Sequence, residues 1–225
     1  MGRTKRADDA GAIGHMPNRT NRRVTIFHKN ADFEAFERII AEALDRMQFK
    51  LFSYCLMPNQ WHLVVSPDVN GEMSRCGQWL GLTHTQRYNA HYHTTGEGPL
   101  YQGRYKSFPV QSDGHFLSAC RYVERNAYTA ELCDSPDLWR YGSLWRWRHG
   151  SASDKSLLSP WPIRRRSGWV DWVRQPVTSK EPKRWRWSVK RGASHGDEPW
   201  VASTARRCDL ESTLRPRGRP RKLPN

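Results

Sequence analysis

Two apolar runs, Leu51 to Leu56 and Trp61 to Val65, stand on either side of Met57-Pro58-Asn59-Gln60. Apolar, β-type runs of this length broken by Pro-Asn predict a hairpin over residues 51–66. Strand side chains alternate between faces. Gln60 and His62 therefore share one face, while Trp61 and Leu63 turn to the other, into a core. Two polar, ligand-type side chains on one face of an apolar strand either serve a site or carry a burial cost.

Helical periods flank the hairpin. Ala31 to Gln48 predicts a helix capped by Asn30, with Asp32 and Glu34 in its first turn. Its inward face is Phe33, Phe36, Ile40, Ala43, Leu44 and Met47. A second helix is expected from Met73 to His91, with Met73, Cys76, Trp79, Leu80 and Thr83 inward. After the Gly-rich break at residues 94–99, Leu100 to Val110 reads as extended. A third helix is expected over Asp113 to Leu132. Its stripe is Phe116, Cys120, Val123, Ala127 and Ala130. Trp139, Tyr141, Trp145 and Trp147 are expected to close the domain by packing.

Charge separates the chain into parts. The net charge is +15, which favours a polyanionic partner, nucleic acid first. Residues 1–150 hold 19 Lys and Arg against 15 Asp and Glu, whereas residues 151–225 hold 18 against 7. We divide the chain into a basic tail (1–13), a domain (14–150) and a Trp/Arg-rich basic extension (151–225). The five cysteines, an odd number, have no zinc-finger spacing, so reduced thiols in the cytoplasm are expected. No segment has the length of a membrane span or the pattern of a signal peptide, so neither membrane insertion nor secretion is expected.

Two pairs of side chains have chemical potential. Gln60 and His62 are either a polar strand end or donors to a divalent metal, the imidazole being the better ligand. Tyr122 and Asn126, one helical turn apart, are either an ordinary amphipathic face or a nucleophile beside a ligand. A phenol attacks phosphorus only when it is deprotonated or nearly so, and its free pKa is about 10. The Trp and Arg alternation of residues 161–200 either clamps the extension onto the domain or binds single-stranded nucleic acid by base stacking and phosphate neutralisation. Arg217-Gly218-Arg219-Pro220 is similar to an AT-hook core, which fits the minor groove of A·T-rich DNA; the other reading is an unstructured basic tail.

From Gly14 to Arg148 the chain resembles the REP-associated tyrosine transposases of the single-tyrosine HUH superfamily, found in bacterial insertion sequences. The resemblance rests on Asn18-Arg19-Thr20-Asn21-Arg22, Phe33-Glu34-Ala35-Phe36, Tyr54-Cys55-Leu56-Met57-Pro58-Asn59-Gln60-Trp61-His62, Leu100-Tyr101-Gln102-Gly103-Arg104-Tyr105-Lys106 and Arg121-Tyr122-Val123-Glu124-Arg125-Asn126. It implies an α+β, ferredoxin-like fold, an antiparallel sheet backed by helices, with an irregular basic extension. It implies Tyr122 as the catalytic nucleophile, and Gln60, His62 and Asn126 as ligands of Mg²⁺ or Mn²⁺. Gln60 departs from the family, which has His at that position. Ala127 replaces a common Pro, and Pro17 falls in the first strand.

The implied activity is single-strand DNA cleavage and strand transfer next to a hairpin, through a 5′-phosphotyrosine. The alternative is a DNA-binding protein that has lost catalysis, with Gln60 as the lesion. Arg104, Lys106, Arg121 and Arg125, with Arg217, Gly218, Arg219 and Pro220, are expected at the DNA. The partner is a DNA hairpin with a flanking single strand, the protein a monomer or homodimer, and the location the cytoplasm at the nucleoid.

Overall fold

The computed structural model describes residues 7–176 and 180–215, with side chains from residue 184 onward in the second stretch. The chain starts as β1 (Gly14–Arg19), α1 (Asn30–Arg46), β2 (Phe49–Met57), β3 (Gln60–Pro67), α2 (Glu72–Tyr92) and β4 (Phe108–Pro109). The strands form one antiparallel sheet in the order β2-β3-β1-β4. This βαββαβ succession with that order is the ferredoxin-like α+β arrangement, as expected.

The hairpin has a two-residue turn at Pro58-Asn59, and Met57 pairs with Gln60. The turn carbonyls anchor the loop after β1. Asn59 O accepts from Thr20 N at 3.0 Å, and Pro58 O accepts from Ile26 N at 2.7 Å. The alternation holds as read. Trp61 and Leu63 are fully buried against α1 and α2, in a core with Phe36, Ile40, Cys76 and Leu80. Gln60, His62 and Val64 face the opposite side.

The α1 start lies one residue earlier than expected, because the Asp32 carboxylate accepts from the backbone N–H groups of His28 and Lys29. In α2 the buried positions include His84 in addition to Met73, Cys76 and Leu80, while Trp79 and Thr83 are only partly buried. Only Phe108 and Pro109 of the extended segment form a strand proper. The stretch before them still runs along β1: Arg19 O accepts from Gln102 N, and Pro17 O accepts from Lys106 N, both at 3.0 Å. Pro17 is tolerated because this flank of β1 meets irregular chain.

Helix α3 (Gly114–Thr129) lies on the other face of the sheet, capped by the Asp113 carboxylate. Phe116, Ala119, Cys120, Val123 and Ala127 pack with Phe52, Cys55 and Val64 into a second core. Ala130, expected inward, lies beyond the helix and is exposed.

Past α3, the chain forms α4 (Ser143–His149), α5 (Ala152–Lys155), α6 (Trp169–Arg174), α7 (Lys180–Arg191), α8 (Glu198–Arg207) and α9 (Glu211–Leu214), short helices joined by irregular stretches. Trp169, Val173 and Trp185 belong to the second core. The Trp161 indole N–H donates to Phe52 O at 2.8 Å, and that of Trp169 to the buried Glu124 at 2.7 Å. Arg165 lies 3.8 Å from the Trp161 ring centre and 4.1 Å from that of Trp147. These described Trp and Arg side chains clamp the extension to the domain. Val110 bridges His195 in parallel, so the extension also covers the β4 edge.

Residues 7–13 differ from the expected tail. Asp8 accepts from Met73 N and Ser74 N at the start of α2, and Ile13 is buried. Residues Arg217 to Pro220 lie outside the described residues.

Candidate nucleic-acid site

The site lies on the α3 face of the sheet. Pro17 pairs with His62 and Arg19 with Gln60, so β1 presents His15, Pro17 and Arg19 on the face where β3 presents Gln60 and His62. His15 sits diagonally from His62, and the two rings stack with centres 5.2 Å apart. His15 Nε2 and His62 Nδ1 are 3.1 Å apart and share one hydrogen. Burial lowers both imidazoles, His62 to about 3 with Arg19 contributing, so both are neutral near pH 7.

Tyr122 projects from α3 onto this pair. Its ring centre lies 5.9 Å from that of His15 and 6.0 Å from that of His62, edge to face in both cases. Thus His62 and Tyr122, placed 60 residues apart in the sequence, meet across the sheet–helix interface. Burial raises the phenol above its ordinary pKa, while Trp185, Arg186 and Arg19 pull it down. Trp185, on α7, covers the cluster. It is 2% exposed, 4.6 Å from Tyr122 and 5.2 Å from His15, centre to centre.

Beside His62 opens a cavity of about 280 Å³. Arg19, Gln60, Gln102, Arg104 and Lys106 line it, with Val189 of α7. Arg104 and Lys106 therefore stand where sequence reasoning wanted DNA contacts. Arg121 and Arg125 are differently placed. Arg121 is buried, donates to Gln175 O at 2.7 Å, and stacks on Trp172. Arg125 donates to the carbonyls of Val173, Arg174 and Gln175. Both guanidinium groups hold the end of α6 on α3.

The expected metal set fits poorly as a preformed centre. Gln60 Nε2 donates to Met57 Sδ at 3.1 Å, and Asn126 Nδ2 is buried with no acceptor. His62, Gln60 and Asn126 offer neutral donors only. Hard divalent ions are held largely through carboxylate oxygens, and the lining of the cavity carries cations instead. Among the described residues, no three His, Cys, Asp or Glu side chains form a group able to hold a metal.

Three residues were missed from the sequence: His15, Arg19 and Trp185. The resemblance placed Pro17 in the first strand, and strand alternation carried from it to i−2 and i+2 would have put His15 and Arg19 on one face. Trp185 lay within the Trp and Arg alternation of residues 161–200, but nothing in that pattern tied it to Tyr122.

The fold thus brings His15 and His62 of the sheet together with Tyr122 of the following helix on one buried face. The family described as "Transposase IS200 like" matches residues 12–126, and the chain belongs to that family. Among solved structures, one described as a REP-associated tyrosine transposase bound to a REP hairpin matches with a TM-score of 0.55 and 12% identity. The match covers 68% of this chain and 90% of that one, so the two share a fold. No curated protein matches the chain. Membership assigns the chain a DNA transposase role. No helix among the described residues is long and apolar enough to cross a membrane.

Proposed function

We propose that this transposase cuts and rejoins single-stranded DNA beside a hairpin, with Tyr122 as nucleophile. The observation that carries this is the meeting of Tyr122 with the His15–His62 pair beside a cavity lined by Arg19, Arg104 and Lys106. The Tyr122 oxygen attacks phosphorus and loses its proton. The bond to the 3′-oxygen breaks, that oxygen takes up a proton, and the 5′-phosphate stays esterified to Tyr122. The ester conserves the bond for rejoining, so no energy cofactor is required. The neutral imidazoles can donate a hydrogen bond to a phosphate oxygen, while solvent takes up the phenol proton. Mg²⁺ or Mn²⁺, expected from the resemblance, would neutralise phosphate charge when bound; no step of this reading passes through it.

A hairpin is the natural partner of this reading because the solved structure that shares the fold is described with one. A second reading, a DNA-binding protein without catalysis, is favoured by Gln60 being turned onto Met57 and by the cover of Trp185 over Tyr122. The two separate in one assay. Labelled single-stranded hairpin DNA is incubated with the wild type and with Tyr122→Phe, and denaturing gels reveal any covalent adduct. The nuclease reading expects an adduct with the wild type, none with Phe, and equal hairpin affinity for both. An adduct with Tyr122→Phe would remove Tyr122 from its role.

A further inference from the structure

Residues 159–161 run along the outer edge of β2. The Ser159 N–H donates to Leu51 O at 2.8 Å, and Ser159 Oγ accepts from Leu51 N at 3.1 Å. With the bond from the Trp161 indole to Phe52 O, these contacts fix one wall of a cavity of about 340 Å³. Trp147 of α4, Lys155 of α5, Trp161, Arg164 and Arg165 line it, with apolar side chains between them and no carboxylate. It shares no lining residue with the cavity beside His62.

The clamp that holds the extension to the domain uses only part of this lining. Arg165 belongs to it, with its guanidinium against the rings of Trp147 and Trp161 and 3.8 Å from the buried Glu124 carboxylate. Lys155 and Arg164 do not. Both are exposed, and neither side chain has a hydrogen bond or ion pair among the described residues. Trp147 is 37% exposed. An exposed indole alone needs no explanation. Here one stands in a cavity with two unpaired cations and no acid, and that combination defines its complement. A planar ring suits the indole, and phosphates suit the cations. In a duplex the bases are already stacked on one another, so an indole within a concavity meets only an unstacked base.

We propose that this cavity is a second DNA site, specific for single strands, in which a base stacks on Trp147 and Lys155 and Arg164 hold the neighbouring phosphates. On the nuclease reading it retains the strand whose 3′-oxygen has been released from the phosphate on Tyr122. As a binding site it does not depend on that reading.

The test uses the full chain and an oligothymidylate of about 16 nucleotides. Anisotropy of the labelled oligonucleotide gives its affinity across a range of salt concentrations. A copy with 5-iodouracil in place of thymine is irradiated on the protein, and the crosslinked residues are mapped by mass spectrometry. We expect a crosslink at Trp147. Trp147→Ala should weaken oligothymidylate binding at least about fivefold, and Trp147→Phe, which keeps a stacking ring, should restore most of it. Lys155→Ala and Arg164→Ala should each lower the log–log salt slope by about 0.7. A DNA duplex of the same length and inorganic polyphosphate, neither of which offers a free base, should bind Trp147→Ala and the wild type equally. Both cations are exposed and unpaired, so their variants keep the test in force should the Trp147→Ala chain fail to fold. The proposal is overturned if crosslinks form only elsewhere, or if oligothymidylate binding ignores all three alanine variants. Duplex or polyphosphate binding that falls as far as oligothymidylate binding in Trp147→Ala also overturns it, since the cavity is then a basic patch without base recognition. An adduct on Tyr122 is a separate product with its own mass. Its absence with the crosslink at Trp147 present leaves this site standing and removes the nuclease reading.

Discussion

Access to Tyr122 turns on one indole. Trp185 buries the phenol and thereby holds its pKa above the ordinary value, though its own effect at close range is partly compensating. Trp185→Ala removes the cover and the desolvation together. Each unit by which the phenol pKa falls gives about tenfold more phenolate at fixed pH. The expected outcome is a faster approach to adduct on hairpin DNA, with a rate that reaches its alkaline plateau at lower pH than in the wild type. The price in stability is about 3–5 kcal/mol for a buried Trp→Ala change, read from urea melts of the same protein. An adduct rate equal to or below that of the wild type in still-folded protein would show that Trp185 positions Tyr122 rather than blocks it.

Among the packed elements, α6 is held to α3 by its buried Trp169 and Val173 and, at its C-terminal end, by two arginines. Arg125 meets three carbonyls at the end of α6, and Arg121 a fourth contact of the same kind. Such charge-assisted bonds at a helix C-terminus satisfy carbonyls that have no partner within the helix. Arg125→Ala is expected to cost about 1–3 kcal/mol and to raise amide exchange selectively over residues 169–176. Uniform exchange across the chain would refute a local latch. Truncation after Gly150 goes further. It strips Trp161, Trp169, Val173 and Trp185 from the second core and leaves Phe52, Phe108 and Phe116 uncovered. We expect that fragment to bind a hydrophobic dye and aggregate, whereas a detachable tail would leave residues 7–150 soluble and cooperative in urea.

These elements also show what the sequence made legible. The hairpin and the three long helices were readable because their apolar periods are local and uninterrupted. So was the shared face of Gln60 and His62, which follows from alternation alone. The strand β1 was hard to read because Gly14-His15-Met16-Pro17-Asn18-Arg19 mixes polar residues and a proline into a buried segment. Its pairing with β3 is long-range information, and His15 became visible only through it. The extension had no readable period because arginines stacked on indoles do the packing, and an Arg-rich helix face looks solvated in one dimension. The bonds of Arg121 and Arg125 to the end of α6 were hidden for the same reason, since a cation bonded to carbonyls and one bonded to phosphate have the same sequence.

For the molecule as a whole, buried neutral histidines set the acid limit. Burial lowers His62, His84 and His195 each to about 3, and lowers His15 as well. Unfolded histidines take up protons near pH 6.5, whereas these do not while folded. The unfolded state therefore binds more protons between about pH 6.5 and 3, and stability rises with pH across that window. This contribution is complete above about 6.5 and is lost as the pH falls. Each such histidine costs about 1.4 kcal/mol per pH unit below the unfolded value. Urea midpoints should drop between pH 7 and pH 5. His84, whose Nδ1 lies 2.7 Å from the Tyr101 hydroxyl, offers a control remote from Tyr122. His84→Gln should flatten the slope by about one proton. A midpoint independent of pH in this range would mean that these imidazoles are charged in the folded protein.

The packing of residues 7–9 has a consequence for how the chain is threaded. Ala7 packs with Ala205 and Leu210, and Asp9 faces Arg207 and Cys208. The first described residues thus lie against the last helices, across nearly the full length of the sequence. Segments that already touch can be joined covalently with little rearrangement, because the loop closed is short in space however long in sequence. The order of elements along the chain is then separable from the fold itself. A circular permutant that fuses residue 225 to residue 1 and opens new ends in the Gly96–Gly98 loop should fold to the same sheet. Its hairpin affinity and histidine-dependent acid midpoint should match those of the parent, and loss of both would show that the contact at Ala7 forms only after the linear chain has folded.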